Sequence, residues 1–197
     1  MNQSDIIKVI HIDQFVDGLR SIRERDFTIE NVYDYVRSHP VGEESLQRYL
    51  FFSKNHYTRN LIFRSHRFEL LAICWETGQF SRIHNHQNQN CWMAVPIGRL
   101  RVQNFRVVEQ DEKTGHCRLE PTDAFDIHKS MPTRVDPAEP VHQVLNLPEF
   151  NEQAVSLHIY SQPYDSCLVY SLTQNHCTQV PLHYSSEYGT LCEREKL

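Results

Sequence analysis

The sequence predicts an all-β protein, a barrel or sandwich that carries a few short α-helices at its N-terminal end. Two observations predict it. Over roughly the first fifty residues the apolar positions recur at helical spacing, and beyond them the period changes to two. From there short strand-like runs follow one another at regular intervals with turn residues between them, as in a chain that folds back on itself repeatedly.

The elements follow in order. Ile12, Phe15, Val16, Leu19 and Ile22 share one face of an amphipathic helix despite Gly18. Thr28 can cap a second helix with Ile29, Val32, Tyr33 and Val36 on its inner side, ended by His39 and Pro40. Glu43 to Leu50 reads as a third. In the first strand-like run Phe68, Leu70, Ala72 and Cys74 alternate with Glu69, Leu71, Ile73 and Trp75. Further runs fall at Cys91–Ile97, Leu100–Val108, Ala124–His128, Val141–Leu145, Ala154–Ser161, Cys167–Leu172 and Val180–Tyr184. Glu109 to Gly115 is a polar hairpin tip or loop, and Ser130 to Pro140, with three prolines, is a loop. Neither reads as a linker, because no globular unit fits on its far side. Residues 1–197 are therefore expected to form a single domain, helical to about residue 50 and a β-barrel over about 56–192. The charged end, Glu193 to Leu197, is expected to fray.

Composition narrows the function. With 40% hydrophobic and 23% charged residues the chain has the make-up of a soluble globular protein. A net charge of -5 argues against a nucleic-acid partner, whose phosphates call for clustered Lys and Arg. The one basic cluster, Arg20 to Arg25, includes a glutamate and reads as the wet face of a helix. The N-terminus has no apolar signal core and no stretch is long enough to span a membrane, so a cytoplasmic place without a membrane partner is expected. None of the six cysteines pairs in a CxxC motif, which argues against zinc ribbons and thioredoxin-type redox chemistry, and most are expected to be reduced.

The chemistry is concentrated between Gly78 and Gly98, GQFSRIHNHQNQNCWMAVPIG. Residues two apart on a strand point the same way, so His84 and His86 can aim both imidazoles at one point. Two nitrogens seldom complete a metal site. His142, in VHQVLN, offers a third if a compact all-β domain lays that run beside the first. Ligand type leaves iron and zinc both open.

The spacing Gly78, His84, His86, Cys91, Gly98 resembles the first motif of the cupins. Pro137, His142 and Asn146 resemble the second, with Glu139 where a glycine is usual. Cys91 stands where many cupins carry a glutamate ligand, and a three-histidine site without a carboxylate is similar to that of thiol dioxygenases. HYTRNL (His56 to Leu61), ELLAICW (Glu69 to Trp75), IHNH with Cys91, and VSLHIYSQPYDSC (Val155 to Cys167) extend the likeness from about Arg48 to about Tyr188, and they resemble the cysteine dioxygenase family.

That resemblance implies a cupin (jelly-roll) β-barrel and a ferrous iron held by His84, His86 and His142. It implies that Arg59 holds the carboxylate of cysteine, as a guanidinium fork suits, with Tyr57 assisting from the same strand face. It implies that Ser156, His158 and Tyr160, spaced i, i+2, i+4 on one face, form a hydrogen-bonded row that handles protons beside the metal. Cys91 and Tyr160 match a pair that some members join by a thioether. Trp75 is expected to pack behind the site, and Cys167 matches a cysteine near the pocket mouth. Two departures stand out: Gln162 where the family commonly has proline, and Asn90 where a histidine is frequent.

The activity so implied is oxidation of L-cysteine to cysteine sulfinic acid by both atoms of O2, by a monomer whose partners are a small thiol and O2. No nucleotide or flavin motif appears, in keeping with a reaction that needs no external reductant. The alternatives are a dioxygenase of 3-mercaptopropionate or mercaptosuccinate, whose branches commonly carry glutamine in place of Arg59, and a metal-binding cupin sensor without catalysis.

Overall fold

The structure is a computed structural model that describes residues 9–111, 113–129, 131–136 and 140–193. Pro137 and Glu139 of the second motif, and residues 194–197 of the charged end, lie outside the described residues.

Helices α1 (Ile12–Ser21) and α2 (Ile29–Ser38) precede the strands. His11 caps α1, its ring accepting from the Asp13 amide while Gln14 accepts from the His11 amide. Thr28 caps α2 as expected, its hydroxyl accepting from the Asn31 amide at 3.3 Å. Gly18 sits mid-helix because Tyr35 of α2 lies over it: a Cβ there would stand 1.9 Å from the Tyr35 hydroxyl. The third expected helix, Glu43–Tyr49, is a 3₁₀-helix. No side chain caps it, and Ser45 instead bonds the Gly42 carbonyl and accepts from the Ile12 amide.

The strands are β1 (Thr58–Arg64), β2 (Phe68–Trp75), β3 (Ile83–His84), β4 (Cys91–Ile97), β5 (Arg99–Asp111), β6 (His116–His128) and β7 (Thr133–Arg134). They continue as β8 (Val141–Leu145), β9 (Ala154–Ser161), β10 (Ser166–Ser171), β11 (His176–Pro181), β12 (Ser186–Glu187) and β13 (Thr190–Leu191). One sheet runs in the order β13-β12-β1-β2-β9-β4-β7, and β10, β11, β6, β5, β8 and β3 pair in a closed ring. Past β2 the chain crosses repeatedly between the two groups, with the hairpins β5–β6, β10–β11 and β12–β13 each kept within one of them. Gly98 makes one such crossing, from β4 to β5, at φ +72, with no room for a Cβ against the Gln153 carbonyl 2.4 Å away.

All eight residues of β2 are buried, although their alternation reads as a two-faced strand. Both faces are covered. Leu70, Ala72 and Cys74 pack with Ile12, Phe15, Leu19, Val32 and Val36 under the helices, and Leu71, Ile73 and Trp75 pack with Cys91, Met93 and Tyr160 inside. Each fully buried Leu, Ile or Phe contributes about 1.5–3 kcal/mol, so the helical layer stabilises the sheet that carries the site.

Two strand boundaries differ from expectation. The β5–β6 hairpin extends through the polar stretch to the pair Asp111↔His116, because cross-strand ion pairs such as Arg118–Glu109 (2.8 Å) and Arg106–Glu120 (2.6 Å) replace apolar contacts. The last run begins at His176, not Val180, since pairing with β10 sets its register from Ser171↔His176 to Ser166↔Pro181.

Candidate active site

His84 ends β3, a short strand held between two others. Its Cα partners are His142 on β8 and Val169 on β10, and this register brings the two histidine motifs together. Asn146 fastens them further: the Gly78 amide donates to the Asn146 carbonyl, the Asn146 amide donates to the Gln79 carbonyl, and its side chain donates to the carbonyls of Trp75 and Glu152. The strand stops at His84, so His86 does not share it as expected. His86 stands in the following turn, where Gln87 and Asn88 take left-handed backbone angles. The imidazoles converge all the same, with ring centroids 4.8 to 5.1 Å apart and edges turned to one another.

One nitrogen from each ring lies within 4.8 Å of the others. His84 Nδ1 is 2.8 Å from the Arg82 carbonyl, which can only accept, so that nitrogen carries the proton and Nε2 keeps its lone pair. Both ring nitrogens of His86 and Nε2 of His142 are buried without a hydrogen-bond partner; the Pro140 carbonyl faces the His86 ring but outside hydrogen-bond geometry. Burial holds all three rings neutral, His84 down to about 4 and the other two well below the ordinary histidine value. Neutral imidazoles with converging, unsatisfied lone pairs are what a divalent metal needs, and this donor set fits one.

Beside the trio, β9 presents the expected row. Ser156 Oγ lies 2.9 Å from His158 Nε2, and Tyr160 Oη lies 3.1 Å from His158 Nδ1. Trp75 does more than pack behind it: its indole donates to Ser156 Oγ at 2.9 Å. An indole N–H only donates, so Ser156 Oγ accepts it and its own hydrogen is free for His158 Nε2; in that tautomer Nδ1 carries the imidazole proton toward the Tyr160 oxygen. That leaves the phenol hydrogen of Tyr160 directed away from the row. Burial, with Arg59 and His84 nearby, lowers His158 to about 3, and burial raises Tyr160 well above its usual range. Cys91 on β4 is the Cα partner of Tyr160, and both are buried at about 2% exposure.

Arg59 and Tyr57 stand where β1 begins. The Arg59 backbone is gripped by Ser185, whose amide donates to its carbonyl at 2.7 Å and whose hydroxyl accepts from its amide at 3.3 Å. Arg59 Nε is buried without a partner. Tyr57 stacks on Trp75 with centroids 4.6 Å apart. Both line a cavity of about 640 Å³ that also reaches His84, Tyr164 and Cys167. His86 borders a separate polar pocket of about 280 Å³, and His142 and Cys91 flank a void of only about 10 Å³.

The family model for cysteine dioxygenase type I matches residues 1–173. The chain belongs to this family. Relatives named cysteine dioxygenase type 1 are 26% identical in Danio rerio and 25% in Homo sapiens, each over 96% of this chain and 93% of the relative. The one in Rattus norvegicus is 27% identical over 94% and 87%. Among solved structures, a double-stranded β-helix protein of Klebsiella pneumoniae matches at 13% identity and TM-score 0.47 over 60% of this chain and 82% of that one. The chain is thus an enzyme of a dioxygenase family with an all-β fold that includes a closed barrel, and no described helix is long and apolar enough to cross a membrane.

Against the rest of the cysteine dioxygenase family, the departure at Gln162 has a local cause, and nothing in the structure explains the one at Asn90. Gln162 sits at φ +76 and its amide donates to the Arg67 carbonyl at 2.7 Å; proline, fixed near -65°, could supply neither. Asn90 pairs through its backbone with Ser161.

Sequence reasoning passed over two residues here. Tyr164 meets Tyr160 edge-on at 5.1 Å and lines the cavity. Glu69, fully buried, is the Cα partner of Tyr160 and accepts from the Tyr184 hydroxyl at 2.5 Å, with Arg64 at 3.5 Å. A glutamate in register with Leu71, Ile73 and Trp75 was the available signal.

Proposed function

We propose that this enzyme is an iron(II)-dependent thiol dioxygenase that converts L-cysteine and O2 to cysteine sulfinic acid. The observation that carries the reading is the set of converging, unpartnered imidazole nitrogens beside a cavity lined by Arg59, whose Nε is buried without a partner. Ferrous iron held by His84, His86 and His142 would keep the substrate thiol deprotonated at neutral pH and bring O2 to it. The rest falls to side chains. Arg59 takes the substrate carboxylate through parallel N–H donors, and the Tyr57 hydroxyl adds a further donor. Tyr160, oriented by His158, Ser156 and Trp75, offers its phenol hydrogen to the oxygen arriving at sulfur and takes it back as the sulfinate forms. Trp75, Tyr57 and Tyr164 keep water from the reacting sulfur. Both oxygen atoms end on sulfur, so no external reductant enters the balance.

The whole chain acts as one catalytic unit in this reading. The six cysteines without disulfides fit a reducing, cytoplasmic setting. Oxygen uptake by the iron-loaded protein, measured with cysteine, 3-mercaptopropionate and mercaptosuccinate and with products identified by mass spectrometry, tests it. Cysteine sulfinate is expected as the product. Efficient turnover of 3-mercaptopropionate with poor turnover of cysteine would overturn the choice of cysteine, and tight metal binding with no thiol-dependent uptake would make the chain a sensor.

Pairing of Cys91 with Tyr160 across β4 and β9 supports reading them as the thioether pair. The bond would replace the thiol hydrogen and one ring hydrogen of Tyr160, with O2 as the oxidant, and it would tune the rate without creating activity. Tyr160→Phe is expected to remove any faster-migrating band on a denaturing gel and to lower kcat by about 100-fold or more, the lower end of the range for a lost proton donor. An unchanged kcat would take the phenol out of the proton path.

A further inference from the structure

No step above uses Glu69, although it is fully buried beside residues that the reaction needs. It belongs to a transverse row of Cα partners that runs Arg64, Glu69, Tyr160, Cys91 across β1, β2, β9 and β4. Period two sends its side chain the same way as Leu71, Ile73 and Trp75, into the interior, and Ile73 is in turn the Cα partner of Arg59. Oε2 of Glu69 accepts from the Tyr184 hydroxyl and lies 3.5 Å from an Arg64 nitrogen, while Oε1 is buried without a partner. Arg64 also donates to Tyr184 and pairs at 2.9 Å with Asp165 at the surface.

A buried carboxylate with a bare oxygen is costly unless nearby charge offsets it. The charged and titratable groups that act on Glu69 are Arg59 and Arg64 from β1, Tyr160 from β9, Asp165 just before β10 and Tyr184 after β11. Only the two arginines are cationic. Arg64 is shared with Asp165, whereas Arg59 Nε has no partner. Burial holds the Glu69 carboxyl above the ordinary carboxylate range, and Tyr184, Arg59 and Arg64 draw it back down. A substrate carboxylate that reaches Arg59 takes away part of the positive field that keeps Glu69 ionised. We infer that Glu69 is a positioning residue that balances the charge of Arg59 in the free enzyme and takes up a proton when a substrate carboxylate occupies that arginine. The inference rests on the thiol dioxygenase reading, in which Arg59 holds that carboxylate. The proton comes from solvent and sits on Oε1, since Oε2 already accepts from Tyr184, and no bond to the substrate forms or breaks. Neutral Glu69 then leaves the full charge of Arg59 to the substrate.

Cysteine and cysteamine differ by that carboxylate and serve as the probe pair. The ratio of their Kd values, titrated against the iron-loaded full chain without oxygen, cancels the thiol proton common to both. A proton taken up on binding favours binding at low pH, so the wild-type preference for cysteine should fall by about tenfold, one pK unit of lost stabilisation, as pH rises from about 5 to about 8. Glu69→Gln, whose amide oxygen still accepts from Tyr184 but takes no proton, should lose that fall and hold the low-pH preference throughout. Tyr184→Phe removes a hydrogen bond that favours the ionised carboxyl, and should keep the fall but move it to higher pH. Calorimetry in two buffers of different ionisation enthalpy should count more protons taken up with cysteine than with cysteamine in the wild type. A fall of the same size in the wild type and Glu69→Gln overturns the inference and points to His56 and His183 in the cavity wall. A wild-type preference that does not move with pH, or an equal proton count for the two thiols, overturns it even if Glu69→Gln fails to fold. Cysteine and cysteamine bound alike at every pH would overturn it together with the carboxylate role of Arg59. If no thiol drives oxygen uptake the dioxygenase reading fails, while the oxygen-free ratio still decides the role of Glu69.

Discussion

His86→Ala is expected to lose bound metal and thiol-dependent oxygen uptake together, with activity down by at least about a thousandfold, equivalent to about 4 kcal/mol of transition-state stabilisation. The stability of the same variant gives the sharper reading. In the wild type His86 is 2% exposed and neither ring nitrogen has a partner. Without metal, the substitution therefore removes two unsatisfied polar atoms as well as leaving a cavity, and the two effects oppose each other. The metal-free variant should melt within about 4 °C of the metal-free wild type, about 1 kcal/mol for a chain of this size. Iron at a hundred times its Kd should then stabilise the wild type by about 2.7 kcal/mol and the variant not at all. Metal content by elemental analysis and paired melting curves check both. A variant that still holds metal and melts higher with it would remove His86 from the ligand set.

The histidine trio was legible in the sequence for one reason and is formed in the structure for another. Spacing within the first motif suggested that His84 and His86 share a strand face, yet β3 ends at His84 and the turn through Gln87 and Asn88 carries His86 into place. The glycine frame predicts such a site because it fixes the loop's ends, whatever path the loop takes between them. Period two put Ser156, His158 and Tyr160 on one face, but the family resemblance made them a hydrogen-bonded row, since a polar row opposite an apolar one reads as a solvated face and β9 is buried from Ala154 to Tyr160. The helices on the outer face of β2 explain why an alternating pattern came out buried on both sides, something a single strand's sequence cannot report. The long β5–β6 hairpin escaped notice because ion pairs and tip contacts hold it, and these leave no apolar period. Glu69 escaped for a related reason: a charged side chain reads as solvated until the fold shows which wall it stands in, and Glu69 is fully buried on β2.

Arg59→Ala is expected to raise KM for cysteine by about 10–100-fold while leaving metal content unchanged. Hydrogen bonds to a charged group are worth about 1.5–3 kcal/mol, and each 1.4 kcal/mol is a factor of ten. The geometry concentrates that loss in binding. Arg59 Nε is buried with no hydrogen-bond partner, and among the described residues Arg59 forms no ion pair, while Ser185 fixes its backbone, so the guanidinium is left for a ligand. Arg59→Lys keeps the charge but not the fork, and should recover only part of the affinity. Cysteamine, which is cysteine without its carboxylate, turns this into a cycle. The wild type should favour cysteine over cysteamine in kcat/KM by about the same 10–100-fold, and Arg59→Ala should treat the two nearly alike. If the variant keeps the full preference, the carboxylate lies against some other group.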